Sequence, residues 1–426
     1  MSELKQRKTA PQSAERPKEQ NGNTTPTAGD HPLGAPKHGG AMQLLRIVGF
    51  GIYFFGCCFC IRGAQTLGYP LYFFSQDWFY AWRALTKQFF GLLITNMTQL
   101  WSPTVVRVSG DKSVAGLLKQ DESGMLSVDF GERAVLMANH QLYTDWLYLW
   151  WIAYTNVIPM HGHIYIILKD SLKWVPLIGP GMQYFGFIFM SRKWANDQGS
   201  MRYRLQKLKT RHSGPMSGQR GAQQLDPMWL LIFPEGTNLS ANTRRESAKF
   251  AEKSHQKDMR HLVLPRSTGL QFCLQELDDT VEYLYDCTIG YEGVPPSGYG
   301  AELFTLRSVY FQGRPPKSVN MHWRRFRIKD LPLDDKEKMY EWIVARWREK
   351  DELLDSFMKT GKFPADKSAV EIEGGPTDSF KTPYVNTEVR PRAPWEIFQI
   401  FAPVAAATMV GRVLVQLSDR IFPAGG

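Results

Sequence analysis

Residues 134–146 read Ala134-Val135-Leu136-Met137-Ala138-Asn139-His140-Gln141-Leu142-Tyr143-Thr144-Asp145-Trp146. The apolar run from Ala134 to Ala138 predicts a buried strand, Asn139 to Asp145 a polar turn, and the aromatic-rich stretch from Trp146 a helix. A histidine at such a turn, with an aspartate five positions on to fix its tautomer, is the minimum needed to take a proton from an alcohol. The alternative is a histidine that only caps or packs. The rest of the chain decides between them.

Working outward, residues 105–358 alternate short apolar runs with longer helical ones, the pattern of an α/β domain. Strands are expected at Ala134–Met137, Ile164–Leu168, Phe185–Met190, Trp229–Phe233, Leu262–Leu264 and Val281–Ile289. Helices are expected at Met201–Lys209 and Lys336–Phe357, the latter carrying Met339, Trp342, Ile343, Trp347 and Leu354 at helical spacing. The Gly-, Ser- and Gln-rich stretch 213–226 reads as a flexible loop insertion. No internal repeat is evident.

The flanks differ in character. Residues 1–42 hold too few large apolar side chains to order themselves and read as a disordered tail. Residues 43–104 read as membrane-associated helices: between Ile47 and Gln76 the only charge is Arg62. That segment begins too late for a secretory signal and has no small-residue cleavage pattern. A second uncharged stretch, Gln88–Val106, carries Asn96, Thr98 and Gln99 and reads as an interfacial or re-entrant helix. The catalytic domain is assigned to 105–360 and a flexible linker to 361–394. A candidate C-terminal membrane helix follows at 395–422, apolar from Trp395 to Leu417 apart from Glu396 and Arg412.

A chain of 426 residues with a net charge of +10 suits a nucleic acid or an anionic membrane surface equally. Aromatic residues make up 13% and gather beside the apolar stretches, which favours membrane lipids over nucleic acid. Five cysteines, three of them crowded at Cys57, Cys58 and Cys60, form no readable disulfide framework or metal pair. A reducing compartment is expected for the soluble part.

A second constellation lies downstream. Leu230-Leu231-Ile232-Phe233 reads as a buried strand running into Pro234-Glu235-Gly236-Thr237, where a glycine, a hydroxyl and free amides suit a phosphate. Ahead of it, Gly186-Phe187-Ile188-Phe189-Met190-Ser191-Arg192 ends a strand in an arginine, the side chain best shaped to grip phosphate. Behind it, Val263-Leu264-Pro265-Arg266-Ser267-Thr268-Gly269 ends an apolar run in a basic turn.

These blocks, in this order and spacing, resemble the glycerolipid acyltransferase family, over about residues 100–363. The Lys169-x-Ser171-Leu172-Lys173-x-x-Pro176 run, Arg192-Lys193-Trp194 and Phe250-Ala251-Glu252-Lys253 strengthen the resemblance. It is strongest to the branch with lysocardiolipin acyltransferase and fungal phosphatidylinositol-remodelling enzymes. The resemblance implies an acyltransferase domain with a mixed sheet flanked by helices, and acyl transfer from acyl-CoA to a lysophospholipid hydroxyl, with no metal and no bound cofactor. It implies His140 as the general base and Asp145 as its orienting carboxylate. Arg192 with Glu235, Gly236 and Thr237 would hold the acceptor, Glu235 by orienting Arg192 or a glycerol hydroxyl. Pro265 and Arg266 would serve the acyl donor, and Lys169 the phosphates of lipid or CoA. The endoplasmic reticulum with a cytosol-facing catalytic domain is the implied location, a mitochondrial membrane or lipid droplet the alternatives. Two positions depart from the family's habit: Leu142 stands where a small hydroxyl residue is common, and Asn238 where an arginine often follows the turn.

Competing chemistries fit less well. The His161-Gly162-His163 pair has no matching third ligand for zinc and reads as loop or interfacial histidines. No G-x-S-x-G elbow exists for a serine hydrolase. Trp323-Arg324-Arg325-Phe326-Arg327 reads as an interfacial or cofactor-facing basic patch. A membrane scaffold that keeps the fold without activity is the remaining alternative, and the intact His140 and Asp145 argue against it.

Overall fold

The structure, a computed structural model, describes residues 31–212, 224–296, 298–372 and 383–421. Helices in chain order are α1 (Gly40–Gly68), α2 (Leu71–Phe74), α3 (Gln76–Trp101), α4 (Asp145–Thr155), α5 (Ile178–Tyr184), α6 (Trp194–Lys207), α7 (Ala241–Lys253), α8 (Ser267–Leu277), α9 (Gly300–Leu303), α10 (Lys336–Thr360) and α11 (Ala402–Ile421). Strands are β1 (Val105–Gly110), β2 (Leu118–Gln120), β3 (Leu126–Val128), β4 (Arg133–Ala138), β5 (Ile164–Lys169), β6 (Ile188–Met190), β7 (Arg211–His212), β8 (Gln224–Leu225), β9 (Met228–Ile232), β10 (Tyr283–Tyr291), β11 (Ser318–Arg327), β12 (Val370–Ile372) and β13 (Val385–Glu388).

Eight of these strands form one mixed sheet, in the order β13-β1-β11-β10-β4-β9-β5-β6. From β10 through β4, β9 and β5 to β6 every neighbour is parallel, while β10 with β11 and β1 with β13 are antiparallel. Both faces are covered, which explains why β4 and β9 read as unbroken apolar runs. On one face Ala134, Leu136 and Ala138 pack with α3 and α4 around Trp150 and Trp151. On the other, Val135 and Met137 pack with α6, α8 and α10 around Leu205, Leu274 and Trp347.

Local chemistry sets the ends of the long helix α10. At its start the Asp335 side chain accepts from the amides of Glu337 and Lys338, and Gly361 closes it in the left-handed conformation at φ 71°. Elsewhere the sequence expectations need correction. Leu262–Leu264 is no strand: the amide of Leu264 bonds the Ser247 hydroxyl at 3.1 Å instead of a neighbouring strand. Phe185 caps α5 and Gly186 turns the chain at φ 78°, so the strand starts only at Ile188. Residues 318–327, whose second half was expected as a basic patch, lie inside the sheet. Trp323 is fully buried, and the Arg324 guanidinium pairs with buried Asp286 at 2.7 Å. A strand that carries arginines looks like a charge run until its partners are known.

The segment 361–394, expected as a flexible linker, is folded where it is described. Phe363 is buried against Phe357, β12 pairs with β2, and β13 forms the sheet edge on β1. The loop expected at 213–226 falls mostly outside the described residues, as does most of the N-terminal tail. From Gly40 to Phe74 runs a 35-residue stretch that is long and apolar enough to cross a membrane. The second uncharged stretch, expected as an interfacial or re-entrant helix, forms the second half of α3, where Phe89, Leu93 and Ile94 are buried in the core. Its polar residues are neutralised within the helix, since Thr95, Asn96 and Thr98 each bond the carbonyl four residues back at 2.8–2.9 Å. At the C-terminus, Pro394–Ile400 and α11 form a pair bent by 51°.

Candidate active site

The parallel strands β4, β9, β5 and β6 all point the same way, so the turns that follow them open at one edge of the sheet, the usual place for a ligand in such folds. His140 follows β4, Pro234-Glu235-Gly236-Thr237 follows β9, Lys169 ends β5, and Arg192 follows β6. The topology thus gathers turns that lie far apart in the chain.

The turn after β4 is tightly held. Asn139 donates to the carbonyl of Ile289 at 3.0 Å and accepts from its amide at 2.8 Å, which ties the turn to β10. The His140 carbonyl accepts from the amide of Leu239 at 2.8 Å. His140 Nδ1 lies 2.8 Å from Asp145 Oδ2, with the aspartate fully buried and the imidazole 20% exposed. The same carboxylate oxygen accepts from the amides of Gln141 (2.6 Å) and Leu142 (3.0 Å), and the other oxygen from the Tyr291 hydroxyl (2.6 Å). Asp145 is also the first residue of α4, where the helix dipole favours negative charge. With the other three donors holding it in place, the carboxylate orders Nδ1–H toward itself. That leaves Nε2 with its lone pair free and no hydrogen bond among the described residues. The imidazole face rests on Phe233, ring centroids 4.4 Å apart at 24°.

Glu235 does not orient Arg192. It turns inward, 3% exposed, and one oxygen accepts from the His140 amide (3.3 Å) and the Trp347 indole (3.2 Å). Its other oxygen has no partner among the described residues. Burial pushes its pKa up to about 8, opposed by the bonds from Trp347 and His140. Glu235 therefore supports the backbone under the imidazole. Gly236 is needed for conformation and not for space: it sits at φ 70°, and a Cβ there would meet nothing. Its carbonyl accepts from Arg192 at 2.5 Å, which holds that exposed guanidinium beside the turn. Arg192 itself adopts φ 68°, a strained position of the kind found at functional turns. Thr237, which follows Gly236, is half-buried. Pro265 is buried and Arg266 exposed, joined to the site by the Arg266 amide bonding the Pro234 carbonyl at 2.9 Å. Lys169 is exposed and pairs in register with Met190, two residues before Arg192. Lys173, by contrast, is held by Asp170 at 2.7 Å.

Trp347 entered the sequence reading only as a member of the apolar pattern of α10, and Tyr291, beyond the expected strand Val281–Ile289, not at all. Leu142, in place of a hydroxyl residue, is buried, and a Cβ on Gly300 would come within 2.9 Å of it. His161 and His163 lie in the loop between α4 and β5, as expected, but His161 does not face outward. It is buried against Tyr154, and burial lowers its pKa to about 3.

A histidine held by a buried aspartate, partly open to solvent and near an exposed arginine and a glycine turn, is the apparatus that acyl transfer to a hydroxyl requires. Comparison with known proteins points to the same class. The model of the Acyltransferase family matches residues 106–291, and that of the Acyltransferase C-terminus residues 310–395. An uncharacterized acyltransferase of Schizosaccharomyces pombe is 38% identical over 354 residues, 83% of this chain and 92% of that protein. The 2-acyl-1-lysophosphatidylinositol acyltransferase of Saccharomyces cerevisiae is 38% identical over 320 residues, 70% of this chain and 79% of that one. Lysocardiolipin acyltransferase 1 of Gallus gallus is 30% identical over 302 residues, 69% and 68% respectively. The chain belongs to the glycerolipid acyltransferase family and is an O-acyltransferase.

Proposed function

We propose that this enzyme moves a fatty acyl group from acyl-CoA to the free hydroxyl of a lysophospholipid at a membrane surface, remodelling inositol- or cardiolipin-type phospholipids. The free Nε2 of an imidazole whose other nitrogen is held by Asp145 is the observation that carries the reading. Nε2 takes the acceptor's hydroxyl proton as its oxygen attacks the thioester carbonyl. The tetrahedral intermediate collapses with cleavage of the C–S bond, and the imidazolium returns the proton to the CoA sulfur. Asp145 stabilises the imidazolium between these steps. General base catalysis of this kind contributes typically about a hundred- to ten-thousandfold.

Arg192 and the Gly236-Thr237 turn hold the acceptor's phosphate, Pro265 and Arg266 serve the donor side, and Lys169 meets phosphates of lipid or CoA. The apolar stretch 40–74 and the bent C-terminal pair seat the protein on the membrane. The endoplasmic reticulum, catalytic domain toward the cytosol, is the proposed location. A 1-acylglycerol-3-phosphate acyltransferase is the second reading, favoured by a relative from Arabidopsis thaliana named as a probable enzyme of that kind, 32% identical over 241 residues.

The test is purified protein with labelled acyl-CoA and a panel of lysophosphatidylinositol, lysocardiolipin and lysophosphatidic acid. Transfer to the first two supports remodelling, and transfer to lysophosphatidic acid alone supports the second reading. No transfer to any acceptor, with His140→Ala behaving as the parent, refutes both.

A further inference from the structure

A cavity of about 730 Å³ lies away from the catalytic edge, where α1, the end of α3, the β2–β3 turn and the segment entering Pro394–Ile400 meet. Its polar lining includes two guanidinium groups, Arg390 and Arg392, the neutral amide of Gln99 and one carboxylate, Asp121. Arg390 donates to the Ser123 carbonyl at 2.5 Å, and Arg392 to the carbonyls of Tyr154 (3.1 Å) and Asn156 (3.3 Å). Among the described residues neither guanidinium lies within ion-pair distance of a carboxylate. Asp121, which also lines the cavity, is already taken up by the amide of Met125 (2.9 Å) and the hydroxyl of Ser123 (2.7 Å). Tyr53, Leu100 and Ile397 supply apolar lining. Next to it Trp395 and Phe398 are 70% and 68% exposed, at the start of the bent C-terminal pair.

Two arginines that hydrogen-bond only neutral oxygens, with Arg390 also drawn electrostatically toward Asp121, keep donors for an anion, and apolar lining beside exposed aromatic residues suits an acyl chain. The volume lies within the range of ligand pockets, roughly 300–1,000 Å³. We infer that this cavity binds the headgroup of a non-substrate anionic phospholipid, its phosphate on Arg390 and Arg392 and an acyl chain leaving past Leu100 and Ile397. It is a site apart from catalysis. Tyr154, which holds Arg392, stands nine residues after Asp145 on α4, about 14 Å along the helix axis. The inference rests on the membrane seating proposed above and not on the reaction.

Full-length protein, delipidated in a nonionic detergent, is titrated with phosphatidylglycerol or phosphatidylcholine, and bound lipid is counted by native mass spectrometry. Acyl transfer is measured on the same samples, so a failed reaction and a failed lipid site are told apart. One phosphatidylglycerol is expected, bound at least about tenfold more tightly than phosphatidylcholine and not displaced by excess lysophospholipid acceptor. The double variant Arg390→Gln, Arg392→Gln should weaken it about tenfold or more. Because Arg392 also braces α4, Ile397→Trp supplies a second test: it adds bulk to the apolar lining, leaves both arginines, and should weaken binding similarly. Equal binding of both lipids, displacement by the acceptor, or unchanged binding in Ile397→Trp would overturn the inference.

Discussion

Asp145→Asn isolates charge from shape at the proposed base. In the native site one carboxylate oxygen receives His140 Nδ1–H and the amides of Gln141 and Leu142, and the other receives the Tyr291 hydroxyl. An asparagine can keep its carbonyl oxygen toward the first three and turn its NH2 to Tyr291, whose hydroxyl then rotates to accept. The fold should survive, at a cost of about 1–3 kcal/mol for exchanging charge-assisted bonds for neutral ones. What is lost is the negative charge that stabilises the imidazolium, so kcat should fall about a hundred- to ten-thousandfold with little change in KM. Asp145→Ala is the contrast, because it strands all four donors in a fully buried pocket, each at about 1–3 kcal/mol, and should abolish folding. The assay is initial rates with labelled acyl-CoA, alongside thermal melts of both variants. If Asp145→Asn melts normally and keeps kcat within about tenfold of the parent, the carboxylate is only a scaffold and the proposed chemistry is wrong.

Other expectations follow from the same geometry. Glu235 holds its proton to about pH 8 when folded but only to its ordinary range when unfolded, so its contribution to stability is full at low pH and fades as pH rises toward 8. In Glu235→Gln, melts between pH 5 and about 8 should lose that decline relative to the parent, and an unchanged profile would refute the buried-acid reading. Lys350, fully buried, is 2.5 Å from Asp286 and its removal in Lys350→Met should cost about 3–5 kcal/mol by denaturant titration. Arg192→Gln should raise KM for anionic acceptors about tenfold with a smaller effect on kcat, read across acceptors of different headgroup charge.

The histidine and its carboxylate were legible because they are local: a strand, a turn and a helix start, all within residues 134–146, fix their geometry. Arg192, Gly236 and Arg266 were legible as turns after apolar runs, but the convergence of the first two with His140 needed the parallel order of β4, β9, β5 and β6. Glu235 was misread because sequence gives no direction for a side chain at a turn, and only the indole of Trp347, 112 residues away, shows that it points inward. Tyr291 was invisible for the same reason. Residues 323–327 were misread because the counter-charges, Asp286 and Glu349, come from a neighbouring strand and from α10. The polar residues of α3 misled in the opposite direction, since bonds to their own helix make them fit for a core.

Helix α4 links the apolar N-terminal helices to the chemistry. Its sequence, Asp145 to Thr155, is almost wholly apolar and aromatic, and it is buried between the sheet and α3. A charged residue is tolerable in such a helix only at its N-terminus, where free amides and the dipole receive it, and that is where the aspartate stands. On its other side, Phe90 of α3 stacks on Trp146 at 6.1 Å and packs on Trp150 at 5.2 Å. α3 in turn packs along α1, the stretch long enough to cross a membrane. With α1 seated in lipid as proposed, this chain of rigid contacts sets the height of His140 above the bilayer. A lysophospholipid then reaches the base by moving along the membrane surface, without leaving it.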